Sequence, residues 1–200
     1  MHGSSGNGTE QKEPELVLDE SRPITLTTKQ VAVGAILGAL SVAIAPLAGF
    51  LPRLSWGMAI FDPVSFVWII AFLLGGIWVG LISLVAGTIA LFMFDPTVIG
   101  PFYKFAATLP FIVVPYIGVR LRKCDGASLS SPRFYSLLML AAYVVRITVM
   151  VPVNLLTIGG PLDVILTVTI VVNSIQSILD AIVPFLVVHR TPVFRNFRLW

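Results

Sequence analysis

A chain of 200 residues, 56% of them hydrophobic and only 12% charged, is not an ordinary soluble domain, in which roughly 25% of side chains are charged. Its mean hydropathy of +0.94 points to a polytopic membrane protein of one compact domain. The net charge of +3 then reads as Lys and Arg enrichment in cytoplasmic loops rather than as an anionic partner, and no nucleic-acid partner is expected. The single cysteine, Cys124, excludes an internal disulfide and any multi-cysteine metal site.

Residues 1–28 are polar and rich in Gly, Ser and Glu. They lack the basic-then-apolar pattern of a signal peptide and are expected to form a disordered cytoplasmic tail. Residues 29–190 hold the membrane domain, with apolar segments at about 29–50, 61–75, 77–94, 100–120, 134–158 and 163–189. All lie near the ~20 residues that cross a hydrocarbon core, the second being short. Turn chemistry separates them, at Gly75-Gly76, Asp95-Pro96, Asp125-Gly126 and Gly159-Gly160-Pro161. Backbone polar groups must be satisfied internally in lipid, so these runs are helices. The expected fold is an all-α integral membrane bundle of six transmembrane helices in the plasma membrane. Residues 191–200 form a short basic tail.

Basic residues set the expected orientation. Arg120, Arg122, Lys123 and Arg133 lie between the fourth and fifth segments, Arg190, Arg195 and Arg198 at the C-terminal end, and Arg22 and Lys29 before the first. Six spans put these regions on one side, with both termini cytoplasmic.

In the first segment, small residues recur at Gly34, Ala35, Gly38, Ala39 and Ala43. Such a stripe lets another helix approach closely, from this bundle or from a separate membrane partner. The fifth segment carries Arg146 and Asn154, and the sixth carries Asn173, Gln176, Ser177 and Asp180 at spacings of one helix face. Arg146 and Asp180 stand about twelve and nine residues from the same end of their spans. Their depths differ by only ~5 Å, which permits a structural ion pair. Asn154, Asn173 and Gln176 either cross-link helices or line a pocket for a neutral heterocycle, since amides both donate and accept. The loop before the second segment, with Trp56 and Phe61, is either an interfacial anchor or a lid over a flat ligand. Asp62 and Lys104 are the other ionisable groups in or near the spans.

No nucleotide-binding P-loop, HExxH motif or Ser/His/Asp set is present, which argues against ATP hydrolysis or other catalysis by this chain. An integral-membrane enzyme or scaffold whose polar residues serve only structure is the rival class. A stand-alone channel or carrier is a third.

Four stretches carry a resemblance: LTTKQVAVGAILGALSVA, FDPVSFVWIIAFLLGGIWVGLISLVAGTIA, GPFYKFAATLPFIVVPYIG, and VVRITVMVPVNLLTI followed by VVNSIQSILDAIVPFLVVHR. In order and content they resemble the substrate-binding S components of energy-coupling factor (ECF) vitamin transporters, closest to the riboflavin-binding branch. The resemblance covers about 160 residues. It implies a non-catalytic subunit that captures a vitamin from outside, without a cofactor of its own. Its partners would be a coupling membrane subunit, docked on the Ala35/Ala39/Ala43 stripe, and two cytoplasmic ATPases. It further implies that Asn154 and Asn173 hold the isoalloxazine edge. Gln176, Lys104, Trp56, Phe61 and Asp62 are the other residues expected in the substrate site. Gln176 stands where the riboflavin pattern has a lysine, and the segment after Asn154 is shortened to GGPLD. Another vitamin or heterocyclic precursor is therefore the alternative ligand.

Overall fold

The computed structural model describes residues 26–50, 61–95, 99–191 and Trp200. These residues are all-helical, with no strand among them. The helices are α1 (Thr28–Phe50), α2 (Pro63–Gly75), α3 (Ile77–Phe94), α4 (Ile99–Leu121), α5 (Pro132–Thr157) and α6 (Leu162–Arg190), with a short 3-10 helix at Gly126–Ser130. Their ends lie within two residues of the expected segments.

Local chemistry explains the boundaries. Before α1, the Thr27 hydroxyl accepts from the Gln30 amide at 3.3 Å while Gln30 Oε1 accepts from the Thr27 amide at 3.0 Å. This reciprocal pair satisfies two donors that a helix start otherwise leaves open. At α2, Asp62 Oδ1 accepts from the Val64 amide at 3.2 Å and Pro63 opens the helix, where its missing amide costs nothing. The turn from α2 to α3 passes through Gly76, whose φ of +83° needs glycine.

Among the described residues five helices are long and apolar enough to cross a membrane, and the chain is a multi-pass membrane protein by that criterion. Its outward faces agree: Leu140, Val144, Ile178 and Ile182 are each more than half exposed, an apolar surface that water would not tolerate. α2 differs. Its 13 residues rise only ~20 Å, short of the ~30 Å hydrocarbon core. Apart from Ser65 it is apolar on every side, and eleven of its residues are buried, as expected of a helix enclosed by others.

The long helices follow one another in an arc, α1–α3–α4–α5–α6, and α2 fills its concave side against α1, α3, α4 and α6. Trp68, Ile69 and Phe72 of α2 are fully buried there beside Leu84 and Phe111. Antiparallel packing gathers the described basic residues Lys29, Arg120, Arg122, Lys123, Arg133 and Arg190 toward one end of the bundle. Trp200 also docks there, its indole donating to the Leu73 carbonyl at 3.3 Å and its ring 5.1 Å from that of Phe72.

Glycines on α3 set its distance from α2. A Cβ at Gly80 would stand 2.8 Å from Phe72 Cβ and 3.1 Å from its Cα, whereas one at Gly34 would meet Ile82 at an ordinary 3.7 Å. Gly80→Val is therefore expected to cost ~1–3 kcal/mol by overpacking, and Gly34→Ala to be close to neutral. Thermal unfolding of the purified protein in detergent, followed by circular dichroism, checks the contrast.

Candidate functional site

The polar residues of α5 and α6 meet inside the bundle. Arg146 is 3% exposed, and its guanidinium runs along one face of α6. Nε donates to Asn173 Oδ1 at 2.8 Å, and Nη1 donates to Asp180 Oδ2 at 2.8 Å. Nη2 donates to Gln176 Oε1 between them. Acceptors at positions 173, 176 and 180 share a helix face, and the planar fork of arginine is shaped to use several at once. The Phe111 ring of α4 lies 5.7 Å from the guanidinium carbon, within cation–π range. Arg146 and Asp180 thus form an ion pair, and two of the expected ligand-binding residues, Asn173 and Gln176, accept hydrogen bonds from the same guanidinium.

The cluster continues into α2. The Ser65 hydroxyl lies 2.6 Å from Asp180 Oδ1 and 2.8 Å from the Asp62 carbonyl. A hydroxyl has one proton, and the carboxylate, being charged, is the stronger acceptor. Asp62 itself both caps α2 and pairs with Lys104 Nζ of α4 at 3.1 Å. Asp62 and Lys104, expected in a substrate site, therefore join α2 to α4.

The two asparagines differ. Asn173 uses both ends of its amide, since Nδ2 donates to the Thr169 carbonyl at 2.8 Å while Oδ1 accepts from Arg146. Asn154 is fully buried, and its Nδ2 donates to Thr169 Oγ1 at 3.0 Å. Its Oδ1 has no hydrogen-bond partner among the described residues. Beyond it, the Tyr103 and Thr157 hydroxyls join α4 to the end of α5.

Of the remaining expected residues, Trp56 lies outside the described residues. Phe61 is 43% exposed and packs edge-on against Phe66, 5.2 Å between ring centres. The small-residue stripe of α1 divides into two faces. Gly34 and Gly38 are buried against Ile82 and Ala86 of α3. They are thus taken up by packing inside this bundle. Ala35, Ala39 and Ala43 remain exposed.

Several participants escaped the sequence reading. Thr169 lies one turn before Asn173 on the same stripe, and extending that stripe would have found it. Ser65 and Phe111 sit on other helices, and no local spacing links them to Arg146. Tyr135 donates to the Ala181 carbonyl at 2.9 Å, close to Pro184, which has no amide to offer the preceding turn.

No group of three or more His, Cys, Asp or Glu able to hold a metal occurs among the described residues. The arrangement is suited to holding helices together and to receiving a hydrogen-bond donor at Asn154. Arg146→Met is expected to destabilise the protein by ~3–5 kcal/mol, because it strands a buried carboxylate. Arg146→Met combined with Asp180→Leu should cost less than the sum of the two single changes. A double-mutant cycle on thermal unfolding in detergent measures the coupling.

No family model, curated protein or solved structure matches the chain.

Proposed function

We propose that this protein is a substrate-capture subunit of an ECF-type vitamin importer, with a flavin as the favoured ligand. The observation that carries the binding half is Asn154 Oδ1, a buried carbonyl with no partner among the described residues. Such groups are normally hydrogen-bonded, and an exception asks for a reason. The imide edge of an isoalloxazine alternates carbonyl and N–H, so it offers a donor to Asn154. Neighbouring polar groups with both donors and acceptors suit the rest of that edge. The pocket would lie toward the Lys104 end of α4, α5 and α6, with Phe61 bordering it. Another heterocyclic vitamin with an N–H beside a carbonyl satisfies the same requirement.

The docking half rests on α1. Its outward alanines Ala35, Ala39 and Ala43 are free of internal packing, and a second helix can approach closely there. In this reading six helices cross the membrane, α2 as a short central span, and the basic end faces the cytoplasm with both termini. A coupling membrane subunit and two ATPases would then drive release inward.

One observation favours the scaffold reading instead. Both ends of the Asn173 amide are already engaged within the bundle, as expected if the cluster serves only to join helices.

Absorbance of the protein purified in detergent separates the two. Co-purified flavin absorbing in the visible, lost in Asn154→Ala while the variant stays folded, is the expected result. For docking, Ala35→Trp or Ala39→Trp should abolish vitamin uptake by cells while equilibrium binding stays within about twofold. A colourless protein that also binds no added heterocyclic vitamin would leave the scaffold reading standing.

A further inference from the structure

The seam between α5 and α6 has a second side, facing away from the polar cluster. There the two helices leave a groove of about 470 Å³, within the size range of small-ligand sites. Tyr135, Met139 and Leu140 of α5 and Ile178, Ala181 and Phe185 of α6 are among its walls. Leu140 and Ile178 are 59% and 57% exposed, so the groove opens sideways, toward lipid rather than toward either end of the bundle. Its two tyrosine hydroxyls are already engaged, Tyr135 with the Ala181 carbonyl at 2.9 Å and Tyr143 with the Ser174 hydroxyl at 2.8 Å. Ser177 Oγ, on the α6 wall, is buried without a partner among the described residues, and the otherwise predominantly apolar walls favour an occupant that needs few hydrogen bonds.

Length and charge specify that occupant further. The groove runs from Pro132 to Tyr143 on α5 and from Ser174 to Leu186 on α6. These are rises of ~17–18 Å, close to one leaflet of a ~30 Å hydrocarbon core. The groove begins at the basic end of the bundle. Arg133 lies three and seven residues before Ser136 and Leu140, and Arg190 lies four after Leu186, so both continue the groove-lining stripes by one turn. Each is exposed, and neither forms an ion pair among the described residues.

We propose that this groove holds an acyl chain of one anionic phospholipid, with its headgroup between Arg133 and Arg190. The site is separate from the Asn154 region and does not depend on what the protein transports. The apolar walls take the chain out of competition with bulk lipid by shape, and the arginines select the charge of the headgroup.

Native mass spectrometry after reconstitution in nanodiscs of equal phosphatidylglycerol and phosphatidylcholine tests this. The unmodified protein should retain one phosphatidylglycerol per chain, preferred over phosphatidylcholine by at least about tenfold. Arg133→Gln with Arg190→Gln should bring the preference close to parity. Ser136→Trp, which fills the groove from an exposed position, should remove the retained lipid while circular dichroism stays helical. Ile182→Trp repeats the test from the opposite wall. Equal retention of the two lipids by the unmodified protein, undiminished retention in both tryptophan variants, or a lipid-free dimer would each overturn the proposal.

Discussion

Arg146 is the constraint on which the rest of this bundle depends. A guanidinium at the centre of a membrane span costs ~2.5–3.5 kcal/mol even by insertion scales, and it cannot shed its charge as a lysine can. It must therefore be surrounded by acceptors. Here α6 supplies three within two turns, at Asn173, Gln176 and Asp180. Meeting all three fixes the depth and the rotation of α6 against α5 together. A slip of one residue along α6 would put Ser174, Ser177 and Ala181, or Val172, Ile175 and Leu179, in place of these acceptors, and neither set holds a carboxylate.

The same requirement reaches the core. Asp180 is itself buried, and its second oxygen takes the Ser65 hydroxyl of α2. Asp62, which caps α2, is tied to Lys104 of α4. A 13-residue helix that is apolar all round except at Ser65 has little else to distinguish one rotation from another among apolar neighbours. The polar contacts at its Asp62 end supply the orientation that burial alone does not. Close packing of Phe72 on Gly80 then sets how near α3 can come. Polar contacts thus specify the arrangement, and apolar packing fills it.

What could be read from sequence follows the same division. Long apolar runs interrupted by Gly, Pro and Asp gave the helices to within two residues, because in lipid a backbone has few alternatives. The pairing of Arg146 with Asp180 was legible because depth along a helix is simple arithmetic. The assignment of faces on α1 was not. Gly34 and Ala35 are adjacent in sequence but ~100° apart around a helix, and only the position of α3 decides which of them is inside. Nor could spacing show that Asn173 and Gln176 would be drawn to Arg146, since amides that bind ligands and amides that join helices have the same pattern. Ser65 and Phe111 complete the cluster from helices whose own sequences give no sign of it.

Concentrating the polar contacts on one side of the α5–α6 seam has a consequence for the other side. Helices in lipid gain little from burying apolar surface against one another, because the acyl chains are as apolar as leucine, so association rests on packing and hydrogen bonds. Arg146 alone contributes three hydrogen bonds between α5 and α6 on the inward side and Asn154 adds a fourth to Thr169, whereas Tyr135 and Tyr143 contribute two from the walls of the groove itself. With the pair held by these bonds, the outward side of the seam need not close. It is lined in part by Ser136, Ser174, Ser177 and Ala181, whose short side chains leave space between the helices instead of filling it. In water such an apolar gap would be a defect, whereas in a bilayer it is solvated by the chains around it. An open outward seam is therefore compatible with stability because the inward side carries most of the hydrogen bonds between the two helices.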